Sequence, residues 1–128
     1  MNKPNYNGGS LINLIASIEK SLGKRSKHKS LNKLNLIELK NSKNVVLMLI
    51  DGLEYDFLMK NGRGTVFNEN IKGKITSVFP SSTSAAIPTL FTGLSPQEHG
   101  MTGLFMYMRE FGSQIIPLPY VPRIKGGS

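Results

Sequence analysis

Residues 44–50, N-V-V-L-M-L-I, form an unbroken apolar run of strand length, and Asp51 and Gly52 follow at once. A strand apolar on both faces has to be buried on both, which is the situation of a central strand in a parallel sheet covered by helices. The run therefore predicts an α/β fold with a partial, mostly parallel sheet and flanking helices. Ligands in such sheets lie beyond the carboxyl ends of the strands, so Asp51 stands where a functional carboxylate is expected. Its ordinary alternative is the N-cap of a helix expected over 54–60.

A second stretch, 75–103, repeats the pattern. Residues 75–79, I-T-S-V-F, read as a buried strand, which Pro80 ends because it has no N–H to donate. Ser81, Ser82 and Thr83 follow, and then a small, apolar run that can form a helix over 83–92 closed by Gly93. A hydroxyl at a strand-to-helix junction sits where free N–H groups and the helix dipole favour an anion, although the default role of Ser or Thr there is only to cap the helix. Strands at 44–50 and 75–79 with helices at 54–60 and 83–92 make one β-α-β-α run. Asp51 and Thr83 would then lie at neighbouring strand ends, as a carboxylate and a hydroxyl suited to half of a metal-assisted phosphoryl-transfer site.

The rest of the chain frames this unit. A helix is expected over 11–22, capped by Ser10 and stopped by Gly23, with Leu11, Leu14, Ile15, Ile18 and Leu22 at helical spacing. Residues 31–39 suit a second short helix or an extended segment. Residues 60–74 read as a connection with a short extended piece at 65–67, and 104–110 as a strand. Pro117, Pro119 and Pro122 argue against a regular helix or central strand over 114–123. The resulting division is a basic N-terminal helical segment, 1–43, and an incomplete α/β portion, 44–128.

Composition narrows the chemistry. The absence of cysteine excludes disulfides and thiolate metal sites, and His28 and His99 are too few for a histidine-rich centre. The formal charge of +8 is concentrated in residues 1–43, where nine Lys and Arg face only Glu19 and Glu38. That excess suits a nucleic-acid or anionic-membrane patch, but no aromatic residue is interleaved for base stacking, and a solvated linker is the preferred reading. No run approaches the roughly 20 apolar residues that span a bilayer. With no signal peptide evident in the N-terminal residues, a cytoplasmic location is the expectation.

Taken together, N-V-V-L-M-L-I-D-G-L and S-V-F-P-S-S-T-S-A-A-I-P-T-L-F-T-G-L-S-P-Q-E-H-G resemble the N-terminal part of the alkaline phosphatase superfamily, in its type I phosphodiesterase/nucleotide pyrophosphatase branch. The resemblance covers about 44–122. It implies that Asp51 is a metal ligand, that Thr83 is the nucleophile and also touches a metal, and that the N–H of Ser84 receives a phosphate oxygen. Thr92, Gly93, Pro96, His99 and Gly100 match the structural T-G-x-x-P-x-x-H-G loop, in which the histidine is not a metal ligand. The family's cofactors are two divalent ions, zinc by expectation, completed by Asp and His ligands from much later in a longer chain. Those ligands have no counterpart here, and Leu104 stands where many nucleotide pyrophosphatases place a phosphate-binding Asn.

The expected function is the N-terminal fragment of a metal-dependent phosphodiesterase acting on phosphate esters through a phosphothreonine intermediate, inactive alone. The alternative is a non-enzymatic binding module, or half of a split enzyme that needs a complementing polypeptide to cover an unpaired sheet edge. A basic nucleic-acid-binding protein is the third reading and rests on charge alone.

Overall fold

Ser10 opens the first helix, α1 (Leu11–Ser21), in an extended conformation, and its N–H and hydroxyl both donate to Asn13 Oδ1 at 3.0 and 2.7 Å. This cap fixes the helix start, and lets Ile12, Ile15 and Ala16 face inward as the largest share of the apolar core. Asn13 and Ser17 are buried beside them and tie down the chain on either side. Asn13 Nδ2 donates to the carbonyls of Tyr6 and Lys29 at 2.9 Å each, and the Leu31 N–H donates to Ser17 Oγ at 2.8 Å. A polar group sealed from water needs such partners, and here they turn a helix face into an anchor for two loops.

The computed structural model describes residues 3–118 and 121–122. After α1 come α2 (Leu36–Asn41), α3 (Tyr55–Asn61), α4 (Val66–Glu69), α5 (Thr83–Thr92) and α6 (Pro96–His99), then the strands β1 (Met106–Met108), β2 (Ser113–Ile116) and β3 (Val121–Pro122). Helix α1 packs against α2 and α5, and α5 against α6. The strands form one antiparallel sheet in the order β1-β2-β3, with Met106 opposite Ile115 and Ile116 opposite Val121. A 3-10 turn, Arg109–Phe111, and Gly112 at φ 58° reverse the chain between the first two strands.

The expected mostly parallel sheet is not what the chain forms. Residues 44–50 take no regular structure and are almost entirely exposed, with Val46 at 84% and Met48 at 71%. Residues 75–79 contribute a single parallel bridge, and its partner is Ser10. The reason is competition for backbone groups. Thr76 N–H donates to the Gly9 carbonyl and Leu11 N–H to the Thr76 carbonyl, both at 2.9 Å. Asn5 N–H reaches Thr76 Oγ1 at 2.8 Å, and Phe79 N–H reaches the Tyr6 hydroxyl at 3.0 Å. The N-terminal segment thus takes one edge of residues 75–79, residues 44–50 make no backbone hydrogen bond to the other among the described residues, and a strand without a partner is not a strand.

Three smaller expectations also change. The extended piece at 65–67 is instead the start of α4, because the Thr65 hydroxyl accepts from Asn68 N–H and caps a turn of helix. Residues 114–116 lie in β2, the middle strand of its sheet, since Pro117 falls just after the last paired residue and removes no ladder donor. The strand expected over 104–110 is confined to Met106–Met108. Arg123 lies outside the described residues.

Candidate active-site cleft

Helix α5 begins at Thr83 because Ser82 adopts extended backbone, φ −90° and ψ 154°, while its carbonyl already accepts from Ala85 and Ala86 at 3.0 and 2.9 Å. It ends at Gly93, whose φ of 68° is the left-handed conformation that glycine reaches without strain. Ser82 holds the cap position but makes no side-chain cap bond, and its Oγ is buried without a partner among the described residues. The hydroxyl that defaults to capping is therefore not capping. The N–H groups of Thr83 and Ser84, two of the orphan donors of a helix start, likewise have no acceptor among the described residues.

Thr83 lies in a cleft of about 360 Å³ whose other walls include Asp51, Ser81, Ser82, Thr76 and Leu11. Asp51 and Thr83 are thus brought to one cleft, both exposed, although no pair of parallel strands carries them there. The Asp51 carboxylate accepts the Gly52 N–H at 3.0 Å and makes no ion pair among the described residues. Ser84 is different. Its side chain is fully buried, its Oγ has no partner among the described residues, and it stands outside the cleft lining. Only its backbone N–H, in the first turn of α5, belongs to the anion-favouring end of the helix. Leu11 enters the cleft from α1, where its spacing had marked it only as a core residue.

The loop after α5 is held by two side chains. His99 Nδ1 accepts the Met101 N–H at 3.0 Å, which leaves Nε2 to carry the proton and donate to the Thr89 hydroxyl at 3.2 Å. That hydroxyl donates in turn to the Ala85 carbonyl at 3.2 Å. Both ring nitrogens are engaged, so the ring braces α6 against α5 and offers no lone pair to a metal. Glu98 is the second brace. Its Oε2 accepts from the N–H and hydroxyl of Ser95, each at 2.7 Å, and pairs with His28 Nε2 at 3.0 Å, while Oε1 meets Lys27 Nζ at 2.6 Å. Burial pushes this carboxyl up, but Lys27, the Ser95 donors and His28 outweigh it and hold it down at about 2. This link between the basic segment and the loop was not foreseen. The run of lysines around His28 suits a solvated linker, or a nucleic-acid or anionic-membrane patch.

A divalent ion needs more donors than this cleft supplies. Asp51 is its one carboxylate, and among the described residues no group of three His, Cys, Asp or Glu is disposed to hold a metal. The donor set therefore does not fit a resident metal by itself. Among the described residues no helix is long and apolar enough to cross a membrane.

Residues 45–116 match the family model described as type I phosphodiesterase / nucleotide pyrophosphatase. Neither the curated proteins nor the solved structures yielded a match. The family is generally metal-dependent, and the matched residues cover more than half of the chain, with Asp51, Thr83 and the 92–100 loop among them. The chain belongs to the type I phosphodiesterase / nucleotide pyrophosphatase family, within the alkaline phosphatase superfamily.

Proposed function

We propose that this chain is the nucleophile-bearing N-terminal part of a phosphodiesterase that cleaves phosphate esters through Thr83. The observation that carries the reading is the start of α5. There the Thr83 hydroxyl shares a cleft with Asp51, and the N–H groups of Thr83 and Ser84 have no acceptor among the described residues. A helix start with free donors favours an anion, so a phosphoryl group seated there has its charge met by the N–H groups and by the dipole. In the first step Thr83 Oγ bonds to phosphorus, the ester bond to one alcohol breaks, and that alcohol leaves with the hydroxyl proton. In the second, water cleaves the threonine ester, restores the hydroxyl and releases the phosphomonoester.

In the intact enzyme the partners of Asp51 and Thr83 would be two divalent ions, zinc in this reading, whose chemistry is to make the hydroxyl a better nucleophile and offset phosphate charge. Because the cleft offers one carboxylate, the remaining donors have to come from outside the described residues, either in the intact enzyme or from a complementing polypeptide. The same shortage favours a second reading, in which the chain acts only as a binding half of a split enzyme.

The two halves of the proposal separate in one assay. The purified chain with an aryl phosphodiester and excess Zn²⁺ is expected to show no sustained turnover above a Thr83→Ala control. Sustained, metal-dependent turnover that Thr83→Ala abolishes would overturn the incompleteness of the site. Turnover that Thr83→Ala leaves intact would overturn the nucleophile.

A further inference from the structure

Asparagine precedes glycine at two places in the chain, Asn7–Gly8 and Asn61–Gly62. At such steps the main-chain nitrogen attacks the side-chain amide most easily, since glycine carries no Cβ to obstruct the approach. The structure separates the two. Asn61 is the last residue of α3, where its Nδ2 donates to the Phe57 carbonyl at 3.0 Å and the Gly62 N–H donates to the Leu58 carbonyl at 2.7 Å. Both the nitrogen that would attack and the one that would leave are held by the helix end. Asn7 stands exposed in the turn of residues 5–9, which the Gly9 N–H closes on the Asn5 carbonyl at 3.0 Å. Its main-chain N–H donates to Asn5 Oδ1 at 3.2 Å, but among the described residues neither its side-chain amide nor the Gly8 N–H has a partner. Gly8 itself has a φ of 105°, and a Cβ there would collide with the Asn32 side-chain amide. The fold thus requires the glycine that makes Asn7 labile.

We propose that Asn7 is a modification site, at which the chain converts its own asparagine to isoaspartate and so loosens its hold on Thr76. The Gly8 nitrogen loses its proton to hydroxide and bonds to Asn7 Cγ. The bond from Cγ to Nδ2 breaks, and Nδ2 leaves as ammonia with a proton returned from water. A second water opens the resulting succinimide at the main-chain carbonyl, which leaves residue 7 joined to Gly8 through its side-chain carboxyl carbon. One water enters and one ammonia leaves, with no redox step. The backbone gains a methylene and the turn gains a carboxylate. The two carbonyls just beyond hold distant chain: Gly8 accepts the Asn32 N–H at 2.9 Å, and Gly9 accepts the Thr76 N–H at 2.9 Å and the Thr76 hydroxyl at 3.1 Å. Lengthening the chain at residue 7 displaces those carbonyls. Thr76 lines the cleft that holds Thr83, so ageing at Asn7 reaches that cleft through the backbone. The inference stands whether or not Thr83 is a nucleophile.

The test is peptide mapping by mass spectrometry of the full chain, aged at mildly alkaline pH under conditions where circular dichroism shows it folded. Ammonia loss and isoaspartate are expected at Asn7 at least about tenfold faster than at Asn61, whose two hydrogen bonds must open first. In urea the two steps should convert at similar rates, which assigns the difference to the fold. Hydrogen exchange read by NMR then follows the consequence. In the aged chain the Thr76 and Asn32 amides should exchange at least about tenfold faster, whereas Asn7→Gln taken through the same ageing should keep its protection. Freshly prepared Asn7→Asp, which adds the charge without the extra methylene, should keep it too. Asn61 converting as fast as Asn7 in the folded chain, or a ratio unchanged by urea, would overturn the modification site. Protection retained in the isoaspartate form, or lost equally in fresh Asn7→Asp, would overturn the release of Thr76.

Discussion

Replacing Glu98 by Gln keeps the shape of the side chain that joins residues 27–28 to the loop after α5, and removes its charge. The carboxyl is held at about 2 against an ordinary value of 4.5. At about 1.4 kcal/mol per unit, that shift corresponds to roughly 3 kcal/mol of linked stability in full. The side chain is 26% exposed and Lys27 is 59% exposed, so solvent screening brings the usable figure to about 1–2 kcal/mol. The sign follows from the direction. A carboxyl depressed by folding stabilises the folded state above its unfolded value, and the contribution fades as pH falls through the folded one. Urea unfolding of wild type and Glu98→Gln, followed by circular dichroism from pH 7 to pH 2, should therefore show the variant less stable by about 1–2 kcal/mol at neutral pH. The gap should narrow below about pH 4.5 and close near pH 2. A gap of equal size at pH 6 and pH 2.5, or none at pH 7, would refute the network as an energetic link.

Two further substitutions probe the polar anchors. Asn13→Leu strands the buried Ser10 hydroxyl and the carbonyls of Tyr6 and Lys29, and is expected to destabilise by about 3 kcal/mol in the same urea assay. A loss under 1 kcal/mol would mean that water replaces the amide. His99→Phe removes the brace between α6 and α5 and should lower stability by about 1–2 kcal/mol while leaving any Zn²⁺ affinity unchanged. A drop in Zn²⁺ affinity measured by calorimetry would identify the ring as a ligand instead.

What could be read from the sequence was local. The run of small residues after Ser82 and the glycine at 93 place α5 where it forms, because a cap position and a left-handed stop are decided within a few residues. Helix α1 was equally legible in position, yet not in orientation. Its spacing pointed to Leu11, Leu14, Ile15, Ile18 and Leu22, of which Ile15 is buried, whereas the rest of the buried face carries Ile12, Ala16 and the polar Asn13 and Ser17, and Leu22 is 66% exposed. The amide and hydroxyl are inside because loop backbone 16 and 14 residues away satisfies them, which no periodicity records. The parallel sheet failed for a related reason. Apolar composition says that 44–50 can pair, but pairing is a property of two segments, and the backbone around Thr76 is engaged by residues 5–11. In the cleft, Thr83 and Asp51 were named from the family motifs and from strand ends that do not form, while the wall supplied by Leu11 came from outside the motifs altogether.

The most direct measurement of the central claim is residue-resolved NMR of the chain during titration with orthovanadate, an analogue of the transferring phosphoryl group, in EDTA. An anion seated at the start of α5 is expected to move the amide signals of Thr83 and Ser84 most, with smaller shifts at Ser82 and Asp51. Thr83→Pro, which removes one N–H at a position where proline is compatible with a helix, should weaken the binding. Shifts confined to the basic residues of the N-terminal segment, or none around Thr83, would contradict a phosphoryl site at this helix.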